Sequence, residues 1–274
     1  MASKSGFPSR LTGFRKQRGV SQLQLATTAD CSQRHICFLE LGRTRPSRDM
    51  VERLSMALGL SLRQSNELLL AAGFAPVWSE TALGAEALGP IQQALDFILA
   101  QQEPYPAVVV DRRWNLIQVN KGAVTLVEFL LGPIAPGILI NLADALVAPD
   151  MLRPHLKNWP EVVNYFVRSI EGDAATDGTA ETATLRDRLL SYPNVREAMA
   201  APLNQRAGAP VLPLRFEKDR TSLQLFTTIA TLGTPQDITV QELRIECFFP
   251  MDEGTRRAFK RWHRRAKEGD KDAH

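Results

Sequence analysis

Three side chains that could read DNA bases fall within one short stretch, at Gln33, Arg34 and Phe38. Arg can donate two hydrogen bonds to guanine, Gln can pair with adenine in the same bidentate way, and an apolar side chain can contact the methyl group of thymine. Ile36 and Leu39 have the spacing of the buried face of one helix. Arg34 and Phe38 then point away from that face, and Gln33 lies at the exposed amino-terminal end. The pattern indicates a helix whose free face enters the major groove.

The preceding residues carry the signals that would position this helix. Ser32 is placed to cap its amino terminus, and Ser21 is placed to cap an earlier helix. In that earlier helix Leu25-Ala26 forms a small apolar face, and Asp30-Cys31 supplies a turn after it. Two short helices joined by a tight turn are therefore predicted.

This stretch, Ser21 to Ser47, resembles the helix-turn-helix of the XRE (Cro/repressor-like) family, whose fold is lambda repressor-like. The resemblance rests on Arg15, Arg18-Gly19-Val20-Ser21-Gln22, Leu25-Ala26, Ser32, Ile36, Glu40-Leu41-Gly42-Arg43 and Pro46-Ser47. It implies that Gln22 orients the domain on the DNA backbone. The residues that it implies for reading bases are Gln33, Arg34 and Phe38, and those for holding phosphates are Arg43 and Arg45.

One position departs from the family pattern, because Asp30 stands where Gly is most frequent. Asp tolerates the left-handed backbone conformation better than most residues, so the turn is expected to form. The alternative interpretation of the whole stretch is an ordinary small helical domain whose charged residues are merely solvated.

Further caps outline an all-α domain of five short helices over residues 1–75. The predicted amino-terminal caps are Ser9, Ser21, Ser32, Ser47 and Ser61. Gly59 and Gly73 are placed to end the fourth and fifth helices. Residues 76–89 contain a proline and several small residues, and they are predicted to form a linker to a second domain.

The charge distribution separates the first domain from the rest of the chain. The 274 residues carry a formal net charge of +3. Residues 1–75 hold 11 Lys and Arg against 5 Asp and Glu, or +6, whereas the remaining residues hold 22 against 25, or −3. A basic excess confined to the helix-turn-helix is typical of a nucleic-acid-binding module.

Other classes of function find little support. The sequence has no signal peptide and no apolar run long enough to span a membrane. Cys31, Cys37 and Cys247 have neither metal-ligand nor disulfide spacing, which predicts a reducing, cytoplasmic location. The four histidines lie outside metal-binding and nucleophile motifs, and no phosphate-binding loop is present. Neither an enzyme nor a cofactor is therefore expected.

Beyond the linker, the apolar spacing predicts a helix, a mixed middle and several strands. The helix runs from Pro90 to about Gln101, and residues 107–111 and 114–119 read as two antiparallel strands. Three later strands are predicted at Val211–Phe216, Ser222–Leu232 and Ile238–Phe249. The stretch 140–201 is predicted to be helical, apart from a mobile loop over Gly172–Thr182.

The last predicted strand has the clearest alternation, which suggests one covered face and one wet face. The apolar set is Leu243, Ile245, Cys247 and Phe249, and the polar set is Glu242, Arg244 and Glu246. Ile238 and Val240 are out of phase with the apolar set, so a β-bulge is predicted near Gln241. Five strands with helices packed on one face make an α+β, PAS-like domain with an antiparallel sheet.

The opening of this domain resembles the ligand-binding domain of MmyB-like transcription regulators, in which a PAS-like sensor follows an XRE-type head. The residues that carry the resemblance are the run Pro106 to Ala123 with Asp111, Trp114, Asn115 and Asn120, then Ile140-Asn141-Leu142, Trp159 and the Leu212 to Phe216 strand. The resemblance covers most of residues 90–250, and the domain is assigned to residues 90–251.

A sheet covered by an apolar helix leaves an interior that either fills with side chains or holds a small apolar ligand. The resemblance implies the second, with a fatty acid or a similar lipid-like molecule as the leading candidate. The predicted lining residues are Trp114, Leu116, Phe129, Phe166, Phe226 and Phe248. Arg168 and Arg215 are the candidates to pair with a ligand carboxylate, since Arg presents two parallel donors. The alternative is that the six apolar residues are ordinary core.

Two further features leave alternatives open. Residues 252–274 are predicted to form a basic helix and tail, which either adds phosphate contacts, packs beside the DNA-binding head of a partner, or is a solvated helix held by Phe259 and Trp262. Oxidation of Cys31 or Cys37 would block the DNA-reading surface, although Cys37 is also accounted for as a small residue near that surface.

These observations predict a ligand-responsive transcriptional regulator that binds a palindromic operator in double-stranded DNA as a homodimer. Ligand binding would change the spacing of the two heads and thereby the affinity for the operator. The alternative from another class is a lipid-binding or protein-interaction module whose second domain mediates dimerisation. Specific and steeply salt-dependent DNA binding separates the two.

Overall fold

The computed structural model of the chain describes residues 6–133, 140–177, 179–201 and 210–272. These residues form two compact units. Unit 1 comprises the described residues within Met1–Ala82, Ala175–Gly178 and Thr234–Gln241, and unit 2 comprises those within Leu83–Ala174, Thr179–Gly233 and Glu242–His274. Along the chain, the first boundary between the two units follows Ala82, within the stretch 76–89 that was predicted as a linker.

The amino-terminal part of unit 1 is helical. Its helices are α1 (Phe7–Gln17), α2 (Gln22–Thr28), α3 (Gln33–Glu40), α4 (Arg48–Ala57) and α5 (Leu62–Ala72). The last four each begin after a Ser whose hydroxyl accepts a backbone N–H of the first turn, as predicted. The prediction of Ser9 as the first cap is wrong: Gly6 occupies that position, and Pro8 follows in the first turn, where proline already has the helical φ.

One apolar core holds the five helices together. Its fully buried members include Leu11, Leu25, Ile36, Leu39, Leu54 and Leu68. Asp30 has a φ of 50°, so the left-handed turn predicted between α2 and α3 is confirmed. Gly73 ends α5 with a φ of 91°, a conformation that glycine adopts without strain.

The rest of the chain alternates helices and strands. In order they are α6 (Gly89–Gln101), β1 (Ala107–Val110), β2 (Leu116–Val119), α7 (Lys121–Leu131), α8 (Leu142–Val147), α9 (Trp159–Asp177), α10 (Ala180–Ser191), α11 (Val195–Ala200), β3 (Leu214–Lys218), β4 (Thr221–Ala230), α12 (Ile238–Glu242), β5 (Arg244–Pro250) and α13 (Glu253–Asp272). Two short 3-10 helices, Glu86–Leu88 and Arg153–His155, complete the set.

The strands form one sheet in the order β2-β1-β5-β4-β3, and every neighbouring pair is antiparallel. The predicted fold class, a helical domain followed by an α+β domain with an antiparallel sheet, is confirmed. The prediction of helices on only one face is wrong. Helix α6 packs Leu95 and Leu99 against Val109 and Ile245, whereas Val108 joins a second core on the other face. Both faces of β1 are buried because all four of its residues are apolar.

The segment before β5 differs from the prediction. Ile238–Glu242 is the short helix α12, so Ile238 and Val240 do not lie in a strand and no bulge is needed near Gln241. The carboxylate of Asp237 accepts a hydrogen bond from the backbone N–H of Val240 at 3.3 Å, which stabilises the start of a helical turn. Helical spacing therefore explains the change of phase.

The predicted loop over Gly172–Thr182 is also wrong for the described residues. Helix α9 continues to Asp177 and α10 begins at Ala180. Thr179 caps α10, and Asp173 Oδ2 accepts a hydrogen bond from Arg244 at 2.7 Å. Helix α9 thus continues through these small and acidic residues. The ion pair between Asp173 and Arg244 stabilises this part of the helix. Among the described helices, none is long and apolar enough to cross a membrane.

Candidate functional site

A buried ion pair fixes the helix-turn-helix of unit 1. Arg15 Nε lies 2.6 Å from Glu40 Oε1, Arg15 Nη2 lies 3.0 Å from Glu40 Oε2, and Gln22 Nε2 donates to the same Oε2 at 2.7 Å. Burial by itself would raise the pKa of Glu40, but the hydrogen bonds from Arg15 and Gln22 bring it below its ordinary value. The three side chains tie α1, the start of α2 and the end of α3 into one rigid group.

The surface of α3 opposite the core presents the side chains predicted to read bases. Gln33 and Arg34 are exposed and Phe38 is half-buried. The Arg34 guanidinium lies 5.1 Å from the centre of the Phe38 ring, and that of Arg43 lies 5.8 Å from it. Phe38 therefore holds the two cations close together by cation–π attraction.

The residues predicted to contact the DNA backbone include two arginines after the carboxy-terminal end of α3 and Gln22, which bonds to the last residue of that helix. Arg43 and Arg45 are exposed in the segment after α3. Gln22 is half-buried, and its amide nitrogen already donates to Glu40. An amide nitrogen carries two hydrogens, so one remains for a phosphate oxygen.

The cysteines of this unit give the redox alternative little support. Cys31 and Cys37 are both half-buried and free. Burial raises the pKa of the Cys31 thiol. A higher pKa lowers the thiolate fraction, which is the form that oxidants attack.

Unit 2 contains a cavity of about 1480 Å³ between the β-sheet and helices α7, α8 and α9. Its wall is mostly apolar. Of the residues predicted to line it, the wall includes Trp114, Leu116, Phe166, Arg215 and Phe248. The Trp114 and Phe166 rings meet edge to face with their centres 4.6 Å apart. The indole N–H of Trp114 is buried and makes no hydrogen bond within the described part of the chain.

Three residues predicted for the ligand lie outside the cavity wall. Phe129 packs on Trp262 with the ring centres 4.8 Å apart, and Phe226 stacks on Phe249 at 5.3 Å. Arg168 Nε donates to Asn164 at 2.7 Å and is therefore engaged within the protein. Phe226 was misplaced because its neighbours on β4 face the cavity, and alternate residues of a strand face opposite sides.

The alternation of side chains along a strand also bears on the position of Arg215, which lines the cavity. The register pairs Arg215 with Gln224 and Leu214 with Leu225. Leu214 and Leu225 belong to the core on the cavity side of the sheet. Arg215 is therefore out of phase with Leu214 on β3, the edge strand of the sheet, and it lines the cavity from that edge.

Glu246 lines the cavity, although the alternation in its strand predicts that it lies on the solvent-exposed face of the sheet. The residue is 9% exposed and lines the cavity. Burial raises the pKa of its carboxyl to about 7, although a hydrogen bond from Thr227 lowers it. The available signal was a lone carboxylate in a strand with apolar residues in both phases, such as Ile245 and Phe248.

The opening of the cavity has an apolar rim. Six large apolar side chains of the wall remain exposed to solvent: Ile117, Val119, Val124, Tyr165, Ile229 and Met251. Exposed apolar groups that cluster around a concavity are typical of a ligand entrance. Within the described ranges, no group of three or more His, Cys, Asp or Glu side chains is placed to hold a metal ion.

The basic carboxy-terminal helix is α13. Phe259 is 1% exposed and meets Trp262 edge to face with the ring centres 5.2 Å apart. Arg256, Arg257, Lys260, Arg261, Arg264 and Arg265 are exposed, and the side chain of Lys267 lies outside the described set. The two aromatic residues anchor the helix. Arg256 and Arg257 pair with Glu253, and the other basic side chains of this set are exposed to solvent.

Two protein-family models match the chain. A model described as "Helix-turn-helix" matches residues 14–64. A model described as "MmyB-like transcription regulator ligand binding domain" matches residues 91–261, which is more than half of the chain. Comparison with curated proteins gave no match.

Proposed function

This chain belongs to the family of MmyB-like transcription regulators, and from that premise we propose that a fatty acid or similar lipid-like ligand controls its binding to an operator. The coarser description follows from the two matched families: the protein is a DNA-binding regulator with a ligand-binding domain. These families are those of transcription regulators rather than enzymes. The cavity of unit 2 is the observation that carries the proposal about the ligand.

The size and character of the cavity favour a lipid-like molecule. Its volume of about 1480 Å³ exceeds what imperfect packing leaves in protein interiors, where voids larger than a water molecule are rare. Ligand pockets usually measure about 300–1,000 Å³ and are predominantly apolar. A large apolar cavity with an apolar rim therefore suits a long or bulky hydrocarbon better than a polar metabolite.

The surface around α3 supplies the proposed contacts with DNA. Gln33, Arg34 and Phe38 are proposed to read base edges, because they stand on the face of α3 that the core leaves free. Arg43 and Arg45 are proposed to bind phosphates, and Gln22 is proposed to orient the domain on the DNA backbone. A homodimer would place two copies of α3 in successive major grooves of a palindromic operator.

The connection between β4 and β5 offers a route by which the ligand could act on DNA binding. This connection, Thr234–Gln241, belongs to unit 1. Within that unit, Asp237 Oδ2 accepts hydrogen bonds from the backbone N–H and the hydroxyl of Thr81 at 3.0 and 2.7 Å. Gln241 Oε1 accepts from the backbone N–H of Leu62, at the start of α5, at 2.8 Å. We propose that displacement of β4 and β5 by ligand reaches the helices of unit 1 through this segment.

Native mass spectrometry of the freshly purified protein tests the ligand. We expect an apolar molecule in stoichiometric amount, which denaturing extraction would then identify. A protein that carries no such molecule, and whose melting temperature is unchanged by added fatty acids, would contradict the ligand proposal. That result would leave the proposal of DNA binding unaffected, and the second domain would be better explained as a dimerisation module.

Selection of binding sites from random duplexes tests the DNA-binding half. The proposal predicts a palindromic consensus, a dimer on that DNA by analytical ultracentrifugation, and affinity that falls steeply with salt. Arg48→Ala is the matched control for the variant Arg34→Ala, since the guanidinium of Arg48 is engaged by Glu52 on α4. If the selection yields no sequence preference, a protein-interaction role for the helix-turn-helix is favoured instead.

A further inference from the structure

Glu246 lies in the middle of the sheet surface that lines the cavity. It belongs to β5, and its cross-strand neighbours are Val108 on β1 and Ile229 on β4. All three residues line the cavity. The carboxylate thus has an apolar neighbour on each adjacent strand, and it lies at the centre of the sheet rather than at its edge.

The carboxylate is only partly satisfied within the protein. The interactions that shift its pKa are burial and a hydrogen bond from the Thr227 hydroxyl, with no charged partner among the described residues. An ionised carboxylate has about four acceptor positions, and Thr227 fills one of them. Buried acceptors without donors are costly, so native proteins rarely retain one without a ligand, an ion or a water to satisfy it.

The other charges of the wall make an anion an unfavourable neighbour for Glu246. The described wall contains two further carboxylates, Glu128 and Glu161, and one basic residue, Arg215. Arg215 lies on the edge strand β3, two strands away from Glu246 on β5, which is roughly 10 Å at the usual strand spacing. Above about pH 7, where Glu246 is ionised, a ligand carboxylate beside it would therefore meet a like charge without a nearby compensating cation.

We propose that Glu246 and Thr227 form a subsite that binds a hydrogen-bond donor, a hydroxyl or an amino group, on an otherwise apolar ligand. The inference rests on the proposed function, because it requires an apolar molecule in the cavity. It narrows the ligand to a long-chain alcohol, a hydroxylated fatty acid or a molecule of the same chemistry. Where the ligand also carries a carboxylate, that group lies away from Glu246.

Three probes that each carry a twelve-carbon chain separate this subsite from general affinity for hydrocarbons. 1-Dodecanol carries a donor, methyl dodecanoate is neutral and carries only acceptors, and dodecanoate is an anion. Binding of each probe to the delipidated full-length protein is measured by calorimetry at about pH 8.5, where Glu246 is ionised. The variants are Glu246→Leu, which removes the acceptors, and Glu246→Gln, which keeps one oxygen without the charge. Ile229→Ala is the matched control, because it removes apolar contact from the neighbouring position of the wall.

Glu246→Leu should lower the affinity for 1-dodecanol by about 10-fold or more, as expected for loss of a hydrogen bond to a charged group. It should leave the affinity for methyl dodecanoate within about 3-fold and should not lower that for dodecanoate. Glu246→Gln should lie between Glu246→Leu and the wild type. Ile229→Ala should weaken all three probes by similar factors.

Two other outcomes overturn the proposal in distinguishable ways. If Glu246→Leu changes all three affinities equally, or none of them, the donor subsite is wrong while the apolar cavity remains a binding site. If the wild-type protein binds none of the probes, the ligand part of the proposed function fails and the subsite fails with it. A melting curve for each variant separates loss of binding from loss of folding.

Discussion

The buried carboxyl of Glu246 makes the stability of unit 2 depend on pH. Burial raises the pKa of this group from an ordinary 4.5 to about 7, although the hydrogen bond from Thr227 lowers it in part. Glu246→Gln removes the titrating group and keeps the size of the side chain. The difference in stability between the wild-type protein and Glu246→Gln should therefore change with pH.

Linkage gives the direction and size of that change. The folded protein binds the Glu246 proton more tightly than the unfolded chain does, because the folded-state pKa is the higher one. The resulting stability is fully present below pH 4.5 and is lost as the pH rises through about 7. At about 1.4 kcal/mol per pKa unit, the wild-type protein should lose about 3 kcal/mol relative to Glu246→Gln.

Urea unfolding of the ligand-free protein at about pH 4.5 and about pH 8.5 measures this quantity. Tryptophan fluorescence is a suitable probe, since Trp114, Trp159 and Trp262 all belong to unit 2. Other titrating groups are common to both proteins, so their contributions cancel in the difference. A difference in unfolding free energy that stays constant between the two pH values would refute the argument that Glu246 is buried without a charged partner.

Four other substitutions test the DNA-binding surface, the ion pair between Arg15 and Glu40, and the packing of Phe259. Arg34→Ala should lower the binding free energy for the selected operator by about 1–3 kcal/mol and relax the base preference, whereas Arg43→Ala should weaken binding to all sequences alike. Fluorescence anisotropy measures both. Equal losses of affinity for operator and random DNA in Arg34→Ala would exclude base reading by this residue. Glu40→Ala leaves the half-buried Arg15 with a hydrogen bond to the Val20 carbonyl oxygen but without its anionic partner, so chemical denaturation should show unit 1 destabilised by about 1–3 kcal/mol. An unchanged midpoint would contradict the structural role of this pair. Phe259→Ala should destabilise unit 2 by about 3–5 kcal/mol in the same experiment; a loss below about 1 kcal/mol would show that α13 is not anchored by this ring.

Predictions that depended on local chemistry were the most accurate. Ser21, Ser32, Ser47 and Ser61 each cap a helix, because a hydroxyl meets the free N–H groups only a few residues away. The left-handed turn at Asp30 and the antiparallel pairing of β1 with β2 are local in the same sense. The signals for these features lie within a few residues of sequence.

Predictions that depended on distant partners were less accurate. The residues over 172–177 were predicted as a loop but are helical, and Asp173 there bonds to Arg244 from the far end of the domain. Ile238 and Val240 were predicted in a strand but lie in α12, and Asp237 just before that helix accepts hydrogen bonds from Thr81, which is far away in the sequence. In both places the intrinsic preference of the residues was weak, and a tertiary hydrogen bond decided the conformation.

The amino-acid sequence by itself therefore determined the helix-turn-helix, the order of the main elements and the exposed position of Arg34. These follow from periodicity and capping, which act over one or two turns of chain. Only the tertiary structure decided which residues surround the cavity. Phe129 and Phe226 are as apolar as Phe166 and Phe248, and a carboxylate such as Glu246 reads as a solvent-facing residue in any strand pattern. Which of them lines the cavity depends on strand register and on the helices that cover each face, and these arise when distant segments pack together.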